Sequence, residues 1–170
     1  MDFIELVKSR YSVRSYQPRP LEQDKLDRVL EAVRLAPSGS NRQPWKFVVV
    51  RDAEVRQQLV AACSNQQFIA EAPVVVAGVG LTPDRSMRCE VPGDPVDVAI
   101  AMEHLALAAA AEGLGTCWIG AFDQDQVRKV LGIPESAKVV QVMTLGYPAD
   151  APRPKTRKSL GEIVCYDRWR

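Results

Sequence analysis

Apolar positions along the chain alternate between a helical period and short unbroken runs, and the switches mark out the elements. Phe3, Leu6 and Val7 fall at helical spacing, which predicts a short helix over residues 2–9 before Pro18 and Pro20 interrupt. Leu26, Val29, Leu30 and Val33 recur at i, i+3, i+4 and i+7, one apolar face of a helix that Pro37 ends. Residues 46–50 (KFVVV) read as a strand, 52–63 as a helix, and 73–80 (PVVVAGVG) as a strand buried on both faces. Residues 81–95, with three prolines and alternating charges, predict a loop. The run 97–114 is apolar almost all round. Asp97, Glu103, His104 and Glu112 interrupt it too often for a membrane span, so it predicts a helix of a protein interior or an oligomer interface.

Beyond Gly113 and Gly115, residues 116–119 predict a short strand. Asp123 is placed to cap a helix over 124–131 that Gly132 stops, and 139–145 predict a further strand. The segment 147–170 carries Pro148, Pro152 and Pro154 and little helical periodicity. Val164, Cys165, Tyr166 and Trp169 are too apolar for a free tail, so residues 148–170 are expected to dock on a partner. The whole predicts one domain, 1–170, of α+β class: a central sheet covered by helices.

Composition narrows the function. With 22 basic and 21 acidic residues the net charge is +1, so no global field favours nucleic acid or a membrane surface, and local basic clusters carry more meaning. The four cysteines form no C-x-x-C and no signal-peptide pattern precedes them; reduced thiols and a cytoplasmic setting are expected. His104 is the sole histidine, so a His-based metal site or triad would have to rest on it alone. It is expected to be a satisfied histidine at a helix interface. Neither a metal site nor a catalytic acid, base or nucleophile is predicted.

Candidate chemistry lies in four separated motifs. Arg10-Tyr11-Ser12-Val13-Arg14 places residues 10, 12 and 14 on one side if the segment is extended, and Lys155-Thr156-Arg157 adds a second cationic cluster. Guanidinium groups suit a phosphate because they pair bidentately. Taken alone, Arg10 and Arg14 read equally well as solvated charge. Residues 36–45 (APSGSNRQPW) form a small-residue turn with hydroxyls, of the kind that lets a ligand approach backbone N–H groups. The fourth motif is 113–120 (GLGTCWIG), in which Trp118 by itself reads as core.

The order R-x-S-x-R, P-S-x-x-N-x-Q-P-W, G-L-G-x-x-W-x-G, K-x-R resembles the nitroreductase family across almost the whole chain. That resemblance implies a homodimer with FMN in its interface and a mostly antiparallel sheet with the tail exchanged between subunits. It implies that Arg10, Tyr11, Ser12, Arg14, Lys155 and Arg157 hold the ribityl phosphate. Pro37, Ser38, Gly39 and Asn41 would reach the same flavin from the partner. Asn65 and Gln66 would meet the pyrimidine edge, though Asn65 reads equally as a loop cap. Trp118, Ile119 and Gly120 would turn backbone toward the N5 and O4 side. The implied activity is NAD(P)H oxidation with ping-pong hydride transfer to a nitroaromatic or quinone. A dehalogenating or flavin-degrading enzyme, or a non-catalytic flavin-binding dimer, stands as the alternative. Longer relatives carry a helical excursion where only 81–95 stands here, which predicts a short lid and an open acceptor pocket.

Overall fold

The computed structural model describes residues 2–169; Met1 and Arg170, the ends of the expected domain and tail, lie outside the described residues. Among these, the elements in chain order are α1 (Phe3–Ser9), α2 (Gln23–Arg34), β1 (Trp45–Val50), α3 (Ala53–Ala62), α4 (Phe68–Glu71), β2 (Val74–Gly80), α5 (Gly93–Ala111), β3 (Gly115–Ile119), α6 (Gln124–Leu131), β4 (Lys138–Gly146) and α7 (Leu160–Ile163). The four strands form one antiparallel sheet in the order β1-β2-β4-β3.

Local chemistry explains the boundaries. The Asp52 carboxylate accepts the Val55 N–H at 2.9 Å and Asp123 that of Gln126 at 2.8 Å, so α3 and α6 both start on capped first turns. Gly132 closes α6 in the left-handed region at φ 65°. In β2 every residue is buried, because helices cover the sheet on both sides. One core holds Leu59, Ile69 and Val127 from α3, α4 and α6 against Val75, Ala77 and Val142. The other holds Val29 of α2 and Met102 and Leu105 of α5 against Val74, Val76 and Met143. The architecture is the expected α+β sandwich.

Three expectations change. The central helix starts at Gly93, not at 97, so the intervening loop is shorter than 81–95. Its apolar surface needs no second subunit to cover most of it: Leu105 is fully buried against the chain's own sheet, while Leu107 is half-buried. Short α4, whose four residues are too few to show a period, was not predicted. Unpartnered apolar surface concentrates elsewhere, on α1 (Phe3, Ile4, Val7) and on the tail, where Leu160, Tyr166 and Trp169 stand exposed. The tail also contains a helical turn, α7, with a Ser159–Glu162 capping box. Among the described residues no helix is long and apolar enough to cross a membrane.

Candidate functional site

The residues after α1 run extended along the outer edge of β3. Ser12 forms a parallel bridge with Thr116, and the Val13 N–H donates to the Thr116 carbonyl at 2.9 Å. Val13 packs so closely that a Cβ at Gly115 would lie 2.3 Å from its Cγ2, which is why glycine opens β3. With Val13 buried inward, Ser12 lies half-buried and Arg14 faces out. The chain beyond β4 fastens this segment from the other side. Asp150 accepts the Arg14 N–H at 3.0 Å through Oδ2, and its carbonyl accepts the Tyr11 hydroxyl at 2.8 Å. Burial, then the Asp150 charge, raises the Tyr11 phenol above its ordinary pKa.

These contacts bring Arg10, Tyr11, Ser12 and Arg14 together with Lys155 and Arg157 around one open cleft of about 470 Å³. The Lys155 ammonium donates to the carbonyls of Lys8 and Arg10 at the C-terminal end of α1, where negative helix-dipole charge collects. Desolvation, then the charges of Arg10 and Arg157, push the Lys155 pKa down. Those same cations would be relieved by a bound anion. Sequence reasoning missed two charged members of the cleft, Arg153 and Asp150. Arg153 stands two residues before Lys155 in the same basic run, which was the available signal; Asp150 had none, since its role comes from pairing with a segment 136 residues earlier.

The 38–43 turn is built differently. Its core is a 3-10 turn at Gly39–Asn41, and Ser40, Asn41 and Gln43 take left-handed φ values of 55°, 53° and 51°. Such conformations cost a non-glycine residue roughly 1–3 kcal/mol each and persist only where the surroundings impose them. The Ser38 hydroxyl accepts the Gln43 N–H at 2.9 Å, and the Gln43 amide donates to Asn41 Oδ1 at 3.1 Å. From outside the turn, Asp97 Oδ1 accepts the Gly39 N–H at 3.0 Å. Pro37 leads into this turn, but none of Pro37, Ser38, Gly39 or Asn41 lines the cationic cleft of its own chain.

Asn65 and Gln66 sit on the loop after α3, beside the loop that leaves β3. The Gln66 amide donates to the Cys63 carbonyl at 3.0 Å and to that of Ala121 at 3.4 Å, while the Ser64 hydroxyl donates to Ala121 at 3.2 Å. The Asn65 backbone takes φ 58°, with its N–H donating to Val60 at 2.9 Å and its side chain exposed. Trp118 is not core: it is 38% exposed. Because the Thr116 carbonyl points away from β4, strand alternation turns the Trp118 N–H and C=O the same way. The edge at Trp118 therefore offers backbone groups outward, and among the described residues no atom beyond the chain neighbours of Gly120 lies within 4 Å of where a Cβ on it would stand. Ile119 faces inward and anchors that edge in the core.

His104 meets its expectation: Nδ1 lies 3.1 Å from the Ala32 carbonyl on α2. Cys63, Cys89 and Cys117 are free thiols, and burial pushes Cys63 up to about 11. No group of three or more His, Cys, Asp or Glu side chains able to hold a metal ion occurs among the described residues.

Comparison with known proteins follows the same segments. The Nitroreductase family model matches residues 7–79 and 60–147. A Methanothermobacter thermautotrophicus protein, provisionally named NADH dehydrogenase/NAD(P)H nitroreductase, is 33% identical over 89% of this chain and 80% of its own. The Bacillus subtilis FMN reductase [NAD(P)H] is 30% identical over 90% of this chain and 70% of its own. Among solved structures, a nitroreductase family protein of Clostridium difficile 630 superposes with a TM-score of 0.86 at 31% identity, over 99% of this chain and 100% of that one.

Proposed function

The chain belongs to the nitroreductase family, and on that footing we propose that it is an NAD(P)H oxidoreductase that works through bound FMN. The observation that carries the cofactor is the cleft at the start of β3. Arg10, Arg14, Arg153, Lys155 and Arg157 line it together with one carboxylate, Asp150, whose Oδ2 already accepts the Arg14 backbone N–H. That donor set suits a phosphate dianion. The outer edge at Trp118–Gly120 turns Trp118 backbone groups outward and leaves space at Gly120, which suits the rim of a tricyclic ring. Asn65 and Gln66 lie next to that edge, within reach of a pyrimidine.

One domain, residues 1–170, would bind FMN, and a second copy would complete the site. The 38–43 turn does not line the cleft of its own chain, so in this assignment it serves the flavin of the partner. The sequence leads one to expect the tail to dock on a partner from residue 148, but 148–157 are held on their own chain by Asp150 and Lys155. Only the stretch beyond Arg157 would lie across that partner, which gives the exposed Leu160, Tyr166 and Trp169 an apolar surface to cover. When bound, the flavin supplies the redox chemistry, taking reducing equivalents from NAD(P)H and giving them to a nitroaromatic or quinone acceptor. The protein's part is to hold the phosphate by charge, orient the ring by backbone donors, and leave one face open to nucleotide and acceptor in turn. No side chain has to act as acid, base or nucleophile in that scheme.

The test is direct. Purified protein is expected to carry FMN, to lose its visible flavin absorbance on anaerobic mixing with NADH or NADPH, and to regain it on adding a quinone. Parallel double-reciprocal lines are expected, because donor and acceptor use one face. A flavin-loaded protein that neither nicotinamide reduces would be a binding dimer or a specialised enzyme instead.

A further inference from the structure

The loop between β2 and α5 is fastened along its length. The Thr82 N–H and hydroxyl both donate to the Asp94 carboxylate at 2.6 Å, and the Leu81 N–H donates to the Pro44 carbonyl at 3.0 Å. The Arg85 N–H donates to Thr82 at 3.0 Å, the Gly93 N–H donates to Arg85 at 3.0 Å, and the Met87 N–H donates to Val91 at 2.8 Å. A segment pinned at both ends and through its middle is a platform rather than a free lid. What it presents inward is the Arg85 guanidinium. That group lies against the 38–43 turn and the start of α5: a Cβ added at Gly39 would stand 3.4 Å from its NH2, and one at Gly93 3.3 Å from its Cζ.

Asp97 meets it there. This buried carboxylate spends Oδ1 on the Gly39 N–H of the turn, while Oδ2 has no hydrogen-bond partner among the described residues. Arg85 NH1, also buried and without a hydrogen-bond partner among the described residues, lies 4.0 Å from Oδ2. Two opposite charges facing each other in this way form an unfinished contact that a shift of about an ångström would complete. Asp97 thus ties the strained turn on one oxygen to the anchored loop on the other. Asp94, one helical turn earlier, is spent on Thr82 and does not compete.

We infer that Arg85 and Asp97 act as a brace that sets the position of the 38–43 turn and thereby the flavin affinity of the site the turn completes. Both are positioning residues: neither has to touch flavin or substrate. The inference rests on the proposed function, in which that turn is the partner's half of the flavin site.

The experiment is an FMN titration of the flavin-free full chain by fluorescence quenching, with melting temperatures measured in parallel. Arg85→Met and Asp97→Asn are each expected to weaken FMN binding about tenfold. The double variant is expected to be no weaker than the worse single one, because both cut the same connection. Arg85→Lys, which keeps the charge, is expected to recover part of the loss. Arg85→Met carries the test if Asp97→Asn does not fold, since it leaves the buried carboxylate bonded to Gly39. Variants that melt earlier yet bind FMN within twofold of the parent would overturn the brace, as would strictly additive losses. A folded parent that takes up no flavin overturns the proposed function and the brace with it; a flavin-binding parent with indifferent variants overturns the brace alone.

Discussion

The cationic cleft and the 38–43 turn serve one ligand in the proposed function, yet the first is made of side-chain charge and the second of backbone shape. The cleft gathers Arg10, Arg14, Arg153, Lys155 and Arg157 on segments that are themselves mostly exposed. Its strength comes from like charges brought close together; desolvation, and then the charges of Arg10 and Arg157, hold the Lys155 pKa down. The turn holds three left-handed non-glycine residues in place with short hydrogen bonds and one buried carboxylate. Damage to the cleft should therefore appear in affinity and salt dependence with little change in stability. Damage to the turn should appear in affinity with little change in salt dependence.

The largest effect is expected from removing the tail. Deleting residues 151–170 takes away Arg153, Lys155 and Arg157 together, and FMN affinity is expected to fall by more than about a hundredfold. Sedimentation of the same deletion is expected to show monomers, because the tail carries Leu160, Tyr166 and Trp169; a dimer that persists would place the interface on α1 and the body instead. Next comes Arg157→Ala, expected to weaken FMN binding by about 10–150-fold, the range for a charge-assisted contact. Lys155→Ala acts in the same direction, and the pair is expected to be less than additive because both face one cleft. Titrations at two ionic strengths check the contrast: loss of either cation should flatten the salt dependence.

Ser38→Ala probes the other side. It removes the acceptor of the Gln43 N–H, worth about 1 kcal/mol, or roughly fivefold in FMN affinity, and should leave the salt dependence as steep as before. A salt response like that of the cleft variants would break the comparison. The smallest effect concerns pH. Lys155 is held below its ordinary pKa in the free protein, and a bound phosphate would raise it by replacing repulsion with attraction. Binding then takes up protons, so affinity is expected to be full while Lys155 is charged in the free protein and to decline as pH rises through its lowered pKa. In Lys155→Ala that alkaline decline should disappear.

Much of this was legible beforehand because it is local. The apolar period of α2, the unbroken run of β2, and the Asp123 and Gly132 signals at the two ends of α6 each reside within one element, and each element formed where they predicted. Where a neighbour decides, the sequence signal failed. Trp118 looked like core, but it sits on an edge strand whose outer flank, among the described residues, is paired only as far as Thr116. The run 97–114 read as a helix of a protein interior or an oligomer interface, and nothing within it chose between them; the sheet takes the inner face of α5 and leaves Leu107 half-covered.

What the sequence determined by itself was therefore the set of elements and the chemistry available: cations of fork geometry at residues 10, 14 and 157, and a small polar turn before a strand. Only the tertiary structure decided which of these meet. The Arg14 backbone N–H reaches Asp150, and so the two basic segments share one cleft, because β3 forms the sheet edge and the chain leaving β4 returns beside it. Arg85 faces Asp97 because the loop before α5 is pinned against the turn after α2. Periodicity and capping report on neighbours within a few residues, whereas these meetings depend on how strands far apart in the chain align, which no local pattern encodes.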